Sequence, residues 1–307
     1  MKCNQTRKFM RKIIRTLLIF VAVASVPTIN SAGAGDLDEV LQSGTLRHLG
    51  IPYANFITPN QLGLDVELMQ QFAKHIGVEY RFVESTWQRI IPDLTGHKIK
   101  VTDDDVEVTG ENPVIGDVIS TGFTVLPWRE KIVDFSATTF PTGIWLIARS
   151  DSLLTPITPT GNISKDIDMV KKALPGVSVL GLQGSCLAPS LYGIEETGAQ
   201  VQFFPVDRDL EEMIPSVIAK MADATLMDVP VALVALAKWP RQIKVIGPLS
   251  NPQDMACAFS KNSPELKQAF DSFFSEFKKN GNYRKLVNTY YPTVFAYYPD
   301  FLSQQGE

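Results

Sequence analysis

"TGFTVLPWREKIVDFS", residues 121–136, is the stretch on which the reading of this chain turns. A Pro-Trp pair, Pro127-Trp128, leads into Arg129, and the alternating "KIVDFS" that follows reads as a strand. Taken alone, Arg129 is a surface cation paired with Glu130 or Asp134, because most arginines are exposed and weakly paired. The surrounding chain changes that reading.

Working outward, helical and strand patterns alternate on both sides, the signature of an α/β fold. Upstream, "DLDEVLQSG" (36–44) is a short helix closed by Gly44, and "TLRHLGI" (45–51) is a first strand. "LGLDVELMQQFAKHIG" (62–77) sets Leu64, Leu68, Phe72 and Ile76 on one helical stripe, with Gly77 at the C′ position. "VEYRFVES" (78–85) alternates as a second strand, and Trp87 opens the helical "WQRIIPDL". Residues 98–117 are less regular and rich in turn formers. Their acidic run lacks the alternating spacing of a calcium loop, so a solvated loop or hairpin is expected.

Downstream, "GIWLIARS" (143–150) is a continuous apolar strand of the kind that crosses between lobes. A second α/β series follows: strand into Gly-Ser turn in "VSVLGLQGS" (177–185), then a strand in "AQVQFFPV" (199–206). "DRDLEEMIPSVIAKM" (207–221) is helical with a break at Pro215. "DATLMD" (223–228) is a strand, and "VPVALVALAKW" (229–239) a helix with Pro230 in its first turn. "DMACAFS" (254–260) returns as a strand. Ser263 and Pro264 start a last long helix with Leu266, Phe270, Phe274 and Phe277 as its stripe, ended by Gly281.

The first residues read differently. Lys2, Arg7, Lys8, Arg11, Lys12 and Arg15 precede the apolar "TLLIFVAVASVPTI" (16–29), and Ala32-Gly33-Ala34 has the small-x-small form of a cleavage site. That order is a secretory signal over residues 1–34, with a retained anchor as the alternative. Cys3 lies before the apolar run, which does not place it as a lipoprotein cysteine. Without that leader, 23 basic residues face 33 acidic ones, a net charge of −10. An acidic chain without a basic patch argues against nucleic acid as a partner. The remaining length suits two lobes of ordinary domain size. Export permits a disulfide between Cys186 and Cys257, but two isolated cysteines are more often buried small hydrophobes.

Catalytic chemistry is hard to find. His48, His75 and His97 are dispersed, without the close spacing of a zinc site, and Ser185 has no G-x-S-x-G context and no histidine downstream. No P-loop or dinucleotide fingerprint occurs. No catalytic residue, metal or cofactor is expected.

Five blocks carry a resemblance. "LDEVLQSGTLRHLG", "LGLDVELMQQFAKHIGVEYRFVESTWQRIIPDL", "GDVISTGFTVLPWREKIVDFS", "KMADATLMDVPVAL" and "FKKNGNYRKLVNTYYP" span nearly all of residues 36–292. In that order they resemble the family 3 periplasmic solute-binding proteins, the polar amino-acid receptors of ABC importers. The resemblance implies a type II fold of two α/β lobes, two crossover strands as hinge, and ligand in the inter-lobe cleft. The lobes would be residues 35–147 with 253–307, and residues 148–252. It implies a monomeric, non-enzymatic periplasmic receptor that delivers a small zwitterion to a membrane permease.

The resemblance also assigns residues. Arg129 would bind the ligand's α-carboxylate, a role suited to a planar fork of N–H donors. Gly122 and Thr124 would add backbone or hydroxyl contacts. Asp228, at the end of a strand, would accept from the α-ammonium, or it simply caps the next helix. Gly184 and Ser185 match a turn whose N–H groups meet the carboxylate, or they form an ordinary turn. Trp87 would pack on the ligand's side chain unless it is core, and Tyr53 and Phe56 would face the cleft. Trp128 is left unassigned. The opening loop lacks an acidic residue many relatives carry, and the 98–117 insert replaces a simple connection. With Tyr53, Phe56, Trp87 and Met227 as candidates, the pocket leans toward neutral or aromatic amino acids. Two other functions stay open: a receptor for another solute or a sensor partner, and a cyclohexadienyl-dehydratase-like enzyme on the same scaffold.

Overall fold

The structure, a computed structural model, describes residues 35–102, 105–298 and 302. The expected leader at 1–34 lies outside them, as do Asp103 and Asp104. Helix α1 (Leu37–Ser43) is capped by Asp36, whose Oδ1 accepts the N–H of Leu37, and ends at Gly44 with φ +67°. The same Oδ1 accepts the N–H of Leu266 at 2.8 Å, tying the two ends of the fold together.

Strand β1 (Thr45–Gly50) leads through a loop to α2 (Leu64–Ile76), in which Leu64, Leu68 and Phe72 are fully buried. Burying each such side chain contributes roughly 1.5–3 kcal/mol, so the stripe fixes the helix on the sheet. Strand β2 (Glu79–Glu84) and helix α3 (Ile90–Thr95) follow, the helix starting three residues after Trp87. Strands β3 (His97–Thr102) and β4 (Asp105–Glu111) then pair antiparallel as a separate two-stranded hairpin, the second of the two forms expected for the insert. Next come β5 (Val118–Ile119), the four-residue α4 (Pro127–Glu130), β6 (Val133–Phe135) and β7 (Phe140–Thr142).

The second series contains β8 (Ile144–Arg149), α5 (Ile163–Lys172), β9 (Ser178–Gly181) and β10 (Gln200–Phe203). It continues with α6 (Met213–Ile218), β11 (Ala224–Asp228), α7 (Val229–Lys238) and β12 (Ile243–Pro248). The chain returns through β13 (Gln253–Met255) and β14 (Ala258–Ser260) to α8 (Pro264–Lys279) and α9 (Asn282–Tyr290).

These strands form two mixed five-stranded sheets, ordered β2-β1-β5-β14-β6 and β10-β9-β11-β8-β12. The antiparallel pair β7 and β13 carries the chain between them. This is the two-lobe α/β architecture anticipated, with one correction. The apolar strand at 143–150 does not cross between lobes: β8 lies inside the second sheet, between β11 and β12. A strand buried on both faces and a hinge strand carry the same apolar signal, and only pairing separates them.

Pro215 does not break a helix either. It sits in the first turn of α6, where its missing N–H has no intrahelical acceptor, and the break is the 3-10 turn Leu210–Glu212 before it. Cys186 and Cys257 are unpaired; the buried Cys257 thiol lies 3.3 Å from the Ser120 hydroxyl. Among the described residues, no helix is long and apolar enough to cross a membrane.

Candidate functional site

Helix α4 turns Arg129 inward. Pro127 starts the helix, and the side chain two residues on is only 3% exposed. Its Nη1 donates to the Thr124 carbonyl at 2.8 Å, and its guanidinium carbon stands 3.9 Å from the Phe123 ring centroid and 5.2 Å from that of Trp128. Nε is buried without a hydrogen-bond partner. Among the described residues no carboxylate pairs with this guanidinium, and Asp134 pairs with Lys261 instead. The surface-pair reading therefore fails. Burial pulls the Arg129 pKa down to about 10, and the titratable groups facing it are Cys186 and Tyr192 of the second lobe. A buried charge without a counter-ion costs several kcal/mol.

Asp228 gives the opposite charge. It ends β11 and caps α7, its Oδ1 accepting the Val231 N–H at 3.1 Å. Its Oδ2 is buried and unpartnered, so the cap accounts for only one of the two oxygens. Burial pushes this carboxyl up to about 7. It bears on the Tyr291 hydroxyl, which in turn accepts the Asn55 N–H at 3.0 Å.

The other expected residues divide. Thr124 is buried, its carbonyl taken by Arg129 and its side chain bearing on the Cys186 thiol. Gly122 sits at φ +59° with the Phe56 ring 2.4 Å from where a Cβ would stand. Its N–H donates to Asp65 Oδ2 at 2.7 Å, so that donor is already spent. Asp65 itself is buried and, like Asp228, held up near 7 by desolvation. Phe56 is fully buried against Phe140 and Tyr291, with centroids 5.2 and 5.1 Å away, and belongs to the core. Met227 is also fully buried. Tyr53 is nearly buried, stacked on Phe56, and Trp87 meets it edge-on at 5.3 Å while remaining half-buried.

Gly184 and Ser185 form a turn, but no α-helix follows it. The Ser185 hydroxyl donates to Leu182 O and accepts from Leu187 N–H, which spends it on the turn. Beside it lies a cavity of about 220 Å³, walled by Val101 and Thr102 of the hairpin, Trp128 of α4, and Gly184, Ala188 and Leu191. A larger cavity of about 550 Å³ opens beside β8 and touches none of the expected residues.

Sequence reasoning gave Cys186, Tyr192, Gln253 and Glu211 no place at the site. Tyr192 donates to Cys186 O and accepts from Gln253 Nε2 at 3.3 Å. Glu211 accepts the Ala54 N–H at 2.5 Å, and Gln88 donates to Val206 O. The Tyr192–Gln253, Glu211–Ala54 and Gln88–Val206 pairs join the two parts of the fold, and only the adjacency of Cys186 to Ser185 hinted at any of these contacts.

The family described as bacterial extracellular solute-binding proteins, family 3, matches residues 116–293, more than half of the chain. The chain belongs to that family. This solute-binding protein is 21% identical over 293 residues to the histidine-binding periplasmic protein of Escherichia coli (strain K12), covering 92% of this chain and 97% of that one. It is 23% identical to the L-cystine-binding protein TcyJ of the same organism, covering 92% and 95%. It is also 25% identical to the membrane-bound lytic murein transglycosylase F of Desulfosudis oleivorans, of which it spans only 45%. Among solved structures it resembles a variant of ArgBP from T. maritima, with TM-score 0.64, 24% identity, and coverage of 83% and 99%. The ancestral amino acid-binding protein AncCDT-1, described as a precursor of cyclohexadienyl dehydratase, matches with TM-score 0.62 and 26% identity over 83% and 98%.

Proposed function

We propose that this solute-binding protein captures an amino acid between its lobes, outside the cytoplasm, and delivers it to a membrane ABC permease. The observation that carries the reading is a pair of buried, unspent, opposite charges, Arg129 on the first lobe and Asp228 on the second. A zwitterion satisfies both: its carboxylate on the free edge of the Arg129 fork, its ammonium on Asp228 Oδ2. Thr124, with Cys186 and Tyr192 across the cleft, surrounds the carboxylate end, and Trp87 and Tyr53 offer aromatic faces to the ligand. Gly122 and Phe56 act from below, by holding the segment's path. The relatives named for binding histidine and cystine, and the solved ancestral amino acid-binding protein, support this choice. The leader at 1–34 would place the receptor in the periplasm, as a monomer without cofactor, with the lobes divided near residues 143 and 252.

The test is a thermal-shift screen of mature protein, unfolded, stripped of ligand and refolded, against the common amino acids. A ligand that binds only the folded state raises the melting temperature. A shift with an amino acid that vanishes in Arg129→Ala is the expected result. Silence toward all of them, in protein with a native circular dichroism spectrum, removes the reading. A dehydratase is the second reading, favoured by Asp228, because such an enzyme needs a carboxylic acid still protonated near neutral pH. Turnover of prephenate, abolished by Asp228→Asn, would put it first.

A further inference from the structure

The two strands that carry the chain between the sheets, β7 and β13, have two unlike faces. In their antiparallel register Thr142 lies opposite Gln253 and Phe140 opposite Met255, which puts these four side chains on one face. Pro141 and Asp254 share the other, where Asp254 is exposed. The first face looks onto the proposed site. Met255 bridges to Thr124, and Phe140 packs 4.8 Å from the ring of Tyr291, on whose hydroxyl Asp228 bears. Gln253 Nε2 donates to Tyr192, one of the groups facing Arg129. Asp228 lies opposite Ile144, two residues beyond Thr142, and the next N–H, that of Val229, donates to Gly143 O at 3.0 Å. Thr142 and Gln253 therefore form the floor between Arg129 and Asp228.

Three acceptors meet there unspent. Among the described residues, Thr142 Oγ1, Gln253 Oε1 and Asp228 Oδ2 are buried without a hydrogen-bond partner, and they do not bond one another. Tyr192 fixes which way the Gln253 amide points. Its hydroxyl has one proton, given to Cys186 O at 2.6 Å, so it can only accept from Gln253. Nε2 must then face Tyr192, and Oε1 faces away from it. Buried acceptors left unpaired cost free energy, and three of them around one floor call for a ligand rich in donors. We propose that Thr142 and Gln253, one from each connecting strand, complete an ammonium receptor with Asp228, making this protein a receptor for amino acids whose ammonium is unsubstituted. The proposal rests on the amino-acid reading above and adds two binding residues and the ligand class. A primary ammonium brings three N–H donors to these three acceptors. One N-methyl group strands one acceptor in a site without water, and a trimethylammonium strands all of them.

Isothermal titration of stripped, refolded protein with the common amino acids, then with the N-methyl and N-trimethyl derivatives of the tightest binder, tests this. The N-methyl form should bind roughly tenfold weaker or worse, the cost of one lost hydrogen bond to a charged donor, and the trimethyl form should not bind measurably. Thr142→Val removes one acceptor at nearly constant shape. Its Kd for the parent amino acid should rise roughly tenfold, and the N-methyl penalty should shrink to about threefold or less. Its ligand-free melting temperature should hold or rise, because a buried unpaired hydroxyl is gone; a purely structural Thr142 predicts a fall. Thr142→Ser should bind like the wild type, and Gln253→Leu should weaken binding and shrink the penalty as Thr142→Val does. Asp254→Asn, on the exposed face, should change neither. Proline as the tightest binder, an N-methyl form that binds as well as its parent, or a Kd and penalty indifferent to both Thr142→Val and Gln253→Leu overturns the three-acceptor receptor while leaving the amino-acid reading intact. No binding of any common amino acid by the wild type overturns the amino-acid reading, and this receptor with it.

Discussion

Pairing of an α-ammonium with Asp228 makes affinity depend on pH in one direction. Burial holds the unliganded carboxyl near pKa 7, against an ordinary value of 3.8. Below 7 the group is mostly protonated, and the arriving ammonium must displace that proton. Affinity then falls by up to tenfold per pH unit until the pKa of the complex is reached. If pairing restores an ordinary pKa, the available span is about three decades, or about 4 kcal/mol at 1.36 kcal/mol per pKa unit. Between pH 7.5 and 5.5 the ionised fraction of a group with pKa 7 drops roughly 25-fold, and Kd should rise by about that factor. The stability of the ligand-free fold runs the other way. A carboxyl raised on folding stabilises less as pH climbs from about 4 to about 7, so the melting temperature without ligand falls across that window while the ligand-induced shift grows. Asp65, also held near 7, adds to the ligand-free trend, whereas His48, pushed down to about 4 by burial, offsets part of it between about 4 and 6.5, where only the unfolded chain protonates that ring. Titrations at pH 5.5, 6.5 and 7.5, in buffers of different ionisation enthalpy, count the protons released; nearly one is expected at pH 6 and below. A flat Kd refutes the pairing. An undiminished slope in Asp228→Asn assigns the proton to another group, Asp65 first.

Arg129→Lys keeps the charge but loses the fork, and Arg129→Ala loses both; Kd should rise by at least ten and at least a hundredfold respectively, with fold intact by circular dichroism. Gly122→Ala combines a strained φ of +59° with a Cβ 2.4 Å from the Phe56 ring, and should cost about 1–3 kcal/mol, read as a lower urea midpoint. Since neither Cys186 nor Cys257 is bridged, dithiothreitol should leave the melting temperature unchanged. In the same protein, ligand should slow alkylation of Cys186, which faces the Arg129 site.

The two-lobe α/β architecture was legible because its signals are local: the α2 stripe, the glycines that end α1 and α2, the Ser263-Pro264 start of α8. Arg129 taken alone read as a surface cation, and only the resemblance singled it out, because a buried and an exposed arginine look the same in one sequence. Phe56 was read toward the cleft and lies in the core, because a loop phenylalanine looks the same whichever way it turns. β8 was read as a crossing strand for a related reason: an apolar run reports burial, not which neighbour buries it. Cys186, Tyr192 and Glu211 stayed hidden because what matters about them is contact with residues about 60 to 160 positions away. Docking of one lobe on the other sets those contacts, and no local pattern encodes it. The insert was recognisable as an insert, yet its two walls of the cavity follow only from where Trp128 sits.

The hairpin has one more consequence. β3 and β4 pair only with each other, whereas Arg129, Thr124 and Gly122 are buried against the first lobe's core. Yet Ile99, Val101 and Val106 of the hairpin pack on the same apolar cluster as Phe123 and Trp128, the rings that flank the Arg129 guanidinium. A change on the hairpin's apolar face therefore reaches the buried charge through shared packing, without touching it.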